Sequence, residues 1–389
     1  MRNSSILVTI VCFMILPASL DAQKNTGSEF IWEIAGELPP DDYGNPSIGF
    51  AGATAGYHNT HLIVAGGANF PDKMPWEGGK KKYTANIVVF KKLPNNLQLI
   101  AKRFSLSSPL AYAASCTTPI GVFYGGGENE QGIQSRVALL QWNTQQSSLT
   151  IQSLPDLPIA ITNASAVCLQ QIVYVAGGEM ASGVSDKLFS LDLSRIESGW
   201  KELPSLPNPV SHAVLIAATI HKQTSLFICG GRMKTPTGIS QLYKEVYQFQ
   251  ISSSKWILAS SLPTTLSAGI GFFLPPNKLV LIGGDRGTLF HQTELWLNAI
   301  QQEKNDSVKQ KILQQKNTLQ QTHPGFSKEV LIAEYPALAW KVGNTLPFPA
   351  PVTTSLVPIS GGYLIPSGEI RPGVRTPQIV SLTLSPHKQ

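Results

Sequence analysis

The sequence is short of charge. Asp, Glu, Lys and Arg make up 14% of its 389 residues, against about 25% in an ordinary soluble domain. Few charges together with many turn-formers argue against a helical bundle or a coiled coil. Basic clustering is also missing. The net charge is +6 and the longest basic block is Lys80-Lys81-Lys82, a solvated run, so nucleic acid is not an expected partner. A mild positive balance still favours a small anionic ligand. The sequence contains no serine-hydrolase elbow, zinc-hydrolase helix motif, P-loop or EF-hand pattern. His58 and His61 stand close together, but no acidic third ligand is near them, and no metal is expected.

Cysteine is scarce too, with four in the chain. Cys12 lies in the N-terminal segment. Cys116, Cys168 and Cys229 are an odd number and cannot all pair within one chain. Each sits in an apolar, strand-like run, where a thiol serves as a small hydrophobe. Long apolar runs are absent apart from Ile6 to Leu16. That run of about eleven residues is shorter than the ~20 a membrane span needs. Arg2 precedes it and small residues from Ala18 to Ala22 follow it, so residues 1–22 are expected to be a cleaved secretory signal. The mature chain, residues 23–389, is then expected in the periplasm or outside the cell, with no membrane attachment.

What the chain has in plenty is turn-formers and core material. It carries 33 Gly, 28 Pro and 42% hydrophobic residues, which favours many short strands joined by tight turns. Apolar runs ending in a Gly doublet recur: LIVAGG, VFYGGG, VYVAGG, LFICGG and LVLIGG, with a degenerate sixth, YLIPSG. Their last glycines are Gly67, Gly127, Gly178, Gly231, Gly284 and Gly368. A strand-like segment precedes each run, another follows most of them, and a fourth often carries Trp and ends in Leu-Pro, as in WKELPSLP and WILASSLP. Four short antiparallel strands per repeat make one propeller blade. The doublets mark places where the backbone needs positive φ or close approach.

FIWEIAGELP, residues 30–39, is a fourth strand with no blade before it, and the last blade, from about Val352 to Leu384, lacks one. The N-terminal strand therefore completes the C-terminal blade and removes an exposed edge. The predicted fold is all-β: a six-bladed β-propeller in one domain. Two insertions interrupt it. ANFPDKMPWEGGKKKYT, residues 68–84, follows the first doublet. The second, 291–328 in blade five, is Gln/Lys-rich, with Val308, Ile312, Leu313 and Leu319 at helical steps. Both fall between second and third strands, so both should rim the same mouth of the central channel.

Aligning the doublets puts Ala68, Glu128, Glu179, Arg232, Asp285 and Glu369 at equivalent positions, with Asn69 and Arg286 next door. Five charged residues in six is far from chance in so charge-poor a chain. Wet turns would favour Asn, Asp, Gly or Ser instead. GENEQGIQSR holds Glu128 and Arg136, and GEIRPGVRT holds Glu369, Arg371 and Arg375. A Glu and an Arg across a tight turn offer a proton-exchanging carboxylate and a bidentate anion clamp. The same pair could instead only brace the hairpin. Trp76 could stack on a sugar or plug the insertion.

The Gly-doublet blades resemble kelch repeats. GGANFPDKMPWEGGKKKYTANI and SGEIRPGVRT together are similar to motifs of the N-acetylneuraminate (sialic acid) mutarotase/epimerase family, and the likeness covers nearly the whole mature chain. The order of the two motifs is rotated relative to the better-known periplasmic enzyme, as in a cyclically permuted branch. A closed ring tolerates such rotation. The resemblance implies interconversion of the α and β anomers of sialic acid by ring opening and closure, with no metal or organic cofactor. It places the family's active-site pair on Glu369 and Arg375. Asn69, Glu77, Glu128, Arg136, Glu179, Arg232, Asp285 and Arg371 are the candidate substrate-binding residues. The other reading is a non-catalytic propeller whose charged mouth binds a glycan or a protein.

Overall fold

The computed structural model describes residues 29–94 and 96–385, leaving aside the side chains of 102 and 103. The expected signal, residues 1–22 with Cys12, lies outside the described residues. Six four-stranded antiparallel sheets follow one another along the chain. Blade one is Thr54–His58, His61–Ala65, Asn86–Lys92 and Leu97–Ser105. Blades two to five repeat the pattern from Ala114–Thr118 through Lys341–Thr345. First strands of neighbouring blades contact one another and line the axis. The sixth sheet runs Phe30–Glu37, Gln378–Leu384, Gly362–Pro366, Val357–Ile359, with Phe30 opposite Leu384 and Glu37 opposite Gln378. The N-terminal strand is thus the outer strand of the last blade, as the order of Trp and Leu-Pro segments predicted.

The core is divided into six parts, one between each pair of blades. Between blades two and three, Phe123, Leu139 and Val137 pack on Val173, Val175 and Phe189. Between blades six and one, Leu364 and Ile379 meet Ala55 and Leu62. Each fully buried Leu, Ile, Val or Phe contributes roughly 1.5–3 kcal/mol relative to exposure, so the stability is spread around the ring. The Leu-Pro leucines lock blade edges: the N–H groups of Leu157, Leu206 and Leu262 donate to Ser135 O, Asp186 O and Lys244 O at 2.7–2.9 Å. The three cysteines are free. Burial pushes all three thiols up, Cys168 to about 11, as inert packing groups require.

The doublets carry the chain from one blade to the next. Gly177 has φ +65°, and a Cβ there would fall 2.1 Å from the carbonyl oxygen of Val210. The following N–H, that of Gly178, donates to that same oxygen at 2.8 Å. In the degenerate sixth repeat Ser367 takes the first position at φ 60°. Its buried hydroxyl hydrogen-bonds the backbone of Phe50 and Thr376 instead.

A second ring lies beside the doublets. Gly52, Tyr112, Asn163, His212, Ala268 and Thr353 each stand just before a first strand, and all have φ between 48° and 64°. Each donates its N–H to the carbonyl of the equivalent residue one blade back. Gly52 closes the circle onto Thr353 at 2.7 Å, and the other five bonds are 2.7–3.3 Å. Six backbone hydrogen bonds therefore encircle the axis and fix the directions of five side chains, Gly52 having none.

The blade-five insertion is two helices rather than one helical segment. α1 spans Thr288–Gln302 and α2 Asp306–Gln321. Asn305 breaks them apart because its side chain accepts from the N–H groups of Ser307 and Val308 and caps α2. The apolar stripe packs only in part: Ile312 and Leu319 are half-buried on the face of α2 that holds the buried Lys316, whereas Val308 and Leu313 are exposed, and the buried residue of α1 is Glu294. Glu294 accepts from the N–H and hydroxyl of Ser240 at 2.8 and 2.7 Å, which pins α1 to blade four. Asn317 of α2 donates to Trp76 O at 3.1 Å, so the two insertions meet at one mouth, as expected.

Candidate active site

The central channel has a cavity of about 450 Å3, with Tyr112, Asn163, His212 and Thr353 among its lining residues. That size suits a single sugar-sized ligand. Its walls are the encircling ring and the first strands, and the residues after the doublets lie next to that ring at equivalent places. Ala68, Glu128, Glu179, Arg232, Asp285 and Glu369 each form a lone antiparallel bridge to the residue before the encircling ring: Ala51, Ala111, Thr162, Ser211, Ser267 and Val352. The sequence alignment of the repeats is therefore also the spatial one.

One side of the mouth is built by blades six, one and two. Glu369 and Arg375 are register partners across the Pro372-Gly373 turn. Glu369 Oε1 accepts from the N–H of Gly373 at 2.6 Å and lies 3.5 Å from Arg375 Nη1. The Arg375 side chain is 4% exposed. Its guanidinium sits 4.7 Å from the ring of Phe70, and its Nε and Nη1 have no hydrogen-bond partner among the described residues. Gly373 packs on the first insertion, where a Cβ would meet Pro75 at 2.7 Å and Trp76 at 3.4 Å. Trp76 therefore braces the turn that holds Glu369 and Arg375.

Glu128 completes this side. It takes Lys81 Nζ at 2.6 Å and the Tyr83 hydroxyl at 2.7 Å, both from the blade-one insertion. Lys81 is thus directed at the mouth instead of standing in a solvated run, and its ammonium lies 4.7 Å from the Tyr112 ring. Tyr112 is half-buried. Burial and then the Glu369 carboxylate raise its phenol above the ordinary range, while Arg375, a hydrogen-bonding neighbour, pulls the other way.

The other side comes from blades three to five. Glu179 accepts from the Ser211 hydroxyl at 3.0 Å and lies 3.5 Å from His212 Nδ1. Arg232 reaches His212 Nε2 at 3.2 Å and stacks 4.2 Å over Phe290 of α1. Arginine has no acceptor, so Nε2 of His212 accepts and the proton sits on Nδ1. Burial, and then the Arg232 charge, holds His212 well below the usual range. Asp285 accepts from the N–H of Gly287 at 2.8 Å and steadies the start of α1.

Several predicted residues do other work. Arg136 lies three places beyond Ile133, the register partner of Glu128, and is exposed. The Glu128–Arg136 pair drawn from GENEQGIQSR is therefore not the counterpart of Glu369–Arg375: both hairpins turn over two residues, but Glu128 pairs with Ile133 and Arg136 falls beyond the hairpin, whereas a bulge after Glu369 brings Arg375 into register with it. Glu77 is exposed and turns back to accept from the N–H of Met74 at 3.0 Å. Asn69 is buried and donates to Gly49 O at 3.0 Å. Arg371 donates to Gln321 O at 3.4 Å and holds the end of α2. Arg286 pairs with Glu329. His58 accepts from the N–H of Trp142 and His61 bonds Asn59 O, so both are structural.

Sequence reasoning missed Tyr112, Asn163 and His212. Their signal was available, since each stands two residues before a first strand, and the six repeats align there as well as at the doublets.

Residues 154–389 match the family model described as N-acetylneuraminate epimerase. The chain is 26% identical over 250 residues to the N-acetylneuraminate epimerase of Brucella melitensis, covering 62% of this chain and 61% of that one. It is 25% identical over 232 residues to that of Haemophilus influenzae, with 59% of each covered. For that of Yersinia enterocolitica the figures are 24% over 226 residues, 57% of this chain and 55% of that one. The chain thus spans about three fifths of the length of the curated relatives it matches. Because the family model covers more than half of the sequence and includes the Glu369–Arg375 turn, the chain belongs to the N-acetylneuraminate epimerase family.

Proposed function

We propose that the protein interconverts the α and β anomers of N-acetylneuraminate by opening and reclosing the sugar ring. The observation that carries this reading is a buried guanidinium, Arg375, with two nitrogens free of hydrogen bonds beside a fixed carboxylate at a channel mouth. Arg375 takes the sugar's carboxylate. Arginine keeps its proton, so Glu369 handles proton transfer. Its Oε1 is held by Gly373, and the carboxylate removes the proton of the anomeric hydroxyl as the ring bond breaks. The motif match supports the same roles. The apolar segment before Ala22 supports export, which the N-terminus of the protein recovered from the periplasm checks. Among the described residues no helix is long and apolar enough to cross a membrane.

The test is proton NMR of freshly released α-anomer with and without protein. The expected result is faster approach to the anomeric equilibrium, with Glu369→Gln slower by 10²–10⁴-fold and still able to bind. No acceleration by micromolar wild-type protein sinks the proposal.

A further inference from the structure

Ring opening needs a second proton. When the base takes the anomeric proton, the ring oxygen must receive one as its bond to the anomeric carbon breaks. On the reading above, Glu369 is the base, and the donor is still to be found. Four mouth groups are unsuited. Arg375 keeps its protons. Lys81 is bound to Glu128 at 2.6 Å. The Tyr83 hydroxyl already donates to Glu128 at 2.7 Å. His212 turns an unprotonated Nε2 to Arg232, and its Nδ1 faces Ser211 and Glu179 at 3.1 and 3.5 Å.

Tyr112 is different. It lines the cavity, and its hydrogen-bonding side-chain neighbour, Arg375, can only donate to the phenol oxygen, which leaves the O–H to be given elsewhere. The side chain is held on three sides. Its N–H donates to Gly52 O and its C=O accepts from Asn163, at 2.7 and 2.9 Å. Its ring lies on Gly52, where a Cβ would come within 2.4 Å of Cδ1. The Lys81 ammonium sits against the ring. Glu369 and Arg375 are its charged neighbours on blade six and Glu128 on blade two.

We propose that Tyr112 is a further catalytic residue, the acid that protonates the ring oxygen. The step balances. Glu369 takes the proton of the anomeric O–H, whose electron pair forms the C=O bond. The pair of the breaking C–O bond goes to the ring oxygen, which takes the Tyr112 proton. Rotation about the adjoining carbon–carbon bond and the reverse transfers close the other anomer. The trio Glu369, Arg375 and Tyr112 has zero net charge before the step and zero after it. Neutralising Glu369 also removes the charge that resists Tyr112 ionisation, while Arg375 remains beside the phenolate. The two transfers therefore assist each other electrostatically.

The experiment uses the full chain and the α-anomer NMR assay. Tyr112→Phe keeps the ring on Gly52 and is expected to lower kcat at least 10²-fold, with KM within threefold and an unchanged melting temperature. Replacing Tyr112 alone by trifluorotyrosine, whose phenol is several units more acidic, is expected to introduce an alkaline fall in kcat that the wild type lacks. This second variant decides the matter if the first fails to fold. If wild type accelerates the reaction and Tyr112→Phe keeps more than a third of its kcat, the acid role is overturned while the mutarotase reading stands. An unchanged pH profile in the fluorinated protein overturns it as well. If wild type shows no acceleration, both readings fall together.

Discussion

Replacing Arg375 with Met separates a binding group from a structural brace. A brace would be paired, whereas the structure leaves Nε and Nη1 of this buried side chain unpartnered and its nearest carboxylate oxygen at 3.5 Å. Each buried unsatisfied donor costs about 1–3 kcal/mol, and Met removes both; the cost of about 3–5 kcal/mol for stranding one partner of a buried ion pair is largely avoided because Glu369 is partly exposed and keeps the N–H of Gly373. Against that stand the lost contact with Glu369 and the lost cation–π stack on Phe70, about 1–2 kcal/mol together. Met recovers part of the stack through its sulfur, and Gly373 still holds Glu369. The balance is a gain of about 1–2 kcal/mol. At roughly 2.1 cal/mol/K per residue, a chain of this size unfolds with about 0.8 kcal/mol/K of entropy, so the melting temperature should rise by about 1–3 °C. Ligand binding should respond in the opposite sense. Millimolar sialic acid should raise the melting temperature of the wild type and leave that of Arg375→Met unchanged. Differential scanning fluorimetry with and without sugar reads both effects. A variant that is several degrees less stable and still shifted by sugar would refute the assignment and make Arg375 a hairpin clamp.

Two further outcomes follow from the ring itself. Gly177→Ala forces a side chain into positive φ and onto the Val210 carbonyl at 2.1 Å; it should cost about 3 kcal/mol or more in urea unfolding, and a loss below 1 kcal/mol would mean the blade junction is looser than described. His212 is kept neutral in the folded state by burial and Arg232, whereas the unfolded chain protonates it below about pH 6.5. Stability should therefore fall as pH drops, by about 1.4 kcal/mol for each unit below 6.5. His212→Asn, which keeps a residue that tolerates left-handed φ, should flatten that slope, and identical slopes in the two proteins would count against the buried neutral imidazole.

Much of the architecture was legible because a propeller repeats its physics. The doublets need glycine wherever the chain steps from blade to blade, so they mark blade number and phase together. The Trp and Leu-Pro segments mark the outer strand, which let residues 30–39 be assigned to the last blade. The helical insertion was visible as composition, but its break was not. Asn305 looks like any polar residue until it is seen capping α2. The apolar stripe marked the packed face of α2 only in part, through Ile312 and Leu319, and gave no sign of the buried Glu294 that anchors α1 to Ser240. The site was half legible. Doublet alignment found Glu369, Glu128, Glu179 and Arg232, each followed by a fixed bridge. It could not find partners contributed across blades. Lys81 and Tyr83 meet Glu128 from more than forty residues away, and no local pattern encodes that approach. Arg136 shows the converse error, because a Glu and an Arg flanking a Gly turn face each other only when the register brings them together, as the bulge after Glu369 does in blade six and nothing does in blade two.

The positive net charge suggested an anionic ligand, but the mouth does not work through net charge. Glu128, Glu179, Asp285 and Glu369 face Lys81, Arg232 and Arg375, so the carboxylates outnumber these cations. Attraction of an anion therefore depends on which cation is uncommitted. Lys81 is committed to Glu128. Arg232 is committed to His212 and stacked on Phe290. Of these three, Arg375 alone has buried donors without a partner, and it is held in place by Phe70 and the Pro372-Gly373 turn. A surplus of carboxylates then serves a second purpose. Their lone pairs accept from a polyhydroxylated ligand, and a lone guanidinium fixes its single acid group. An inorganic anion could satisfy Arg375 and nothing else. A sugar acid could satisfy both, so the paucity of charge in the chain as a whole does not weaken selectivity at the one place where the charges are gathered.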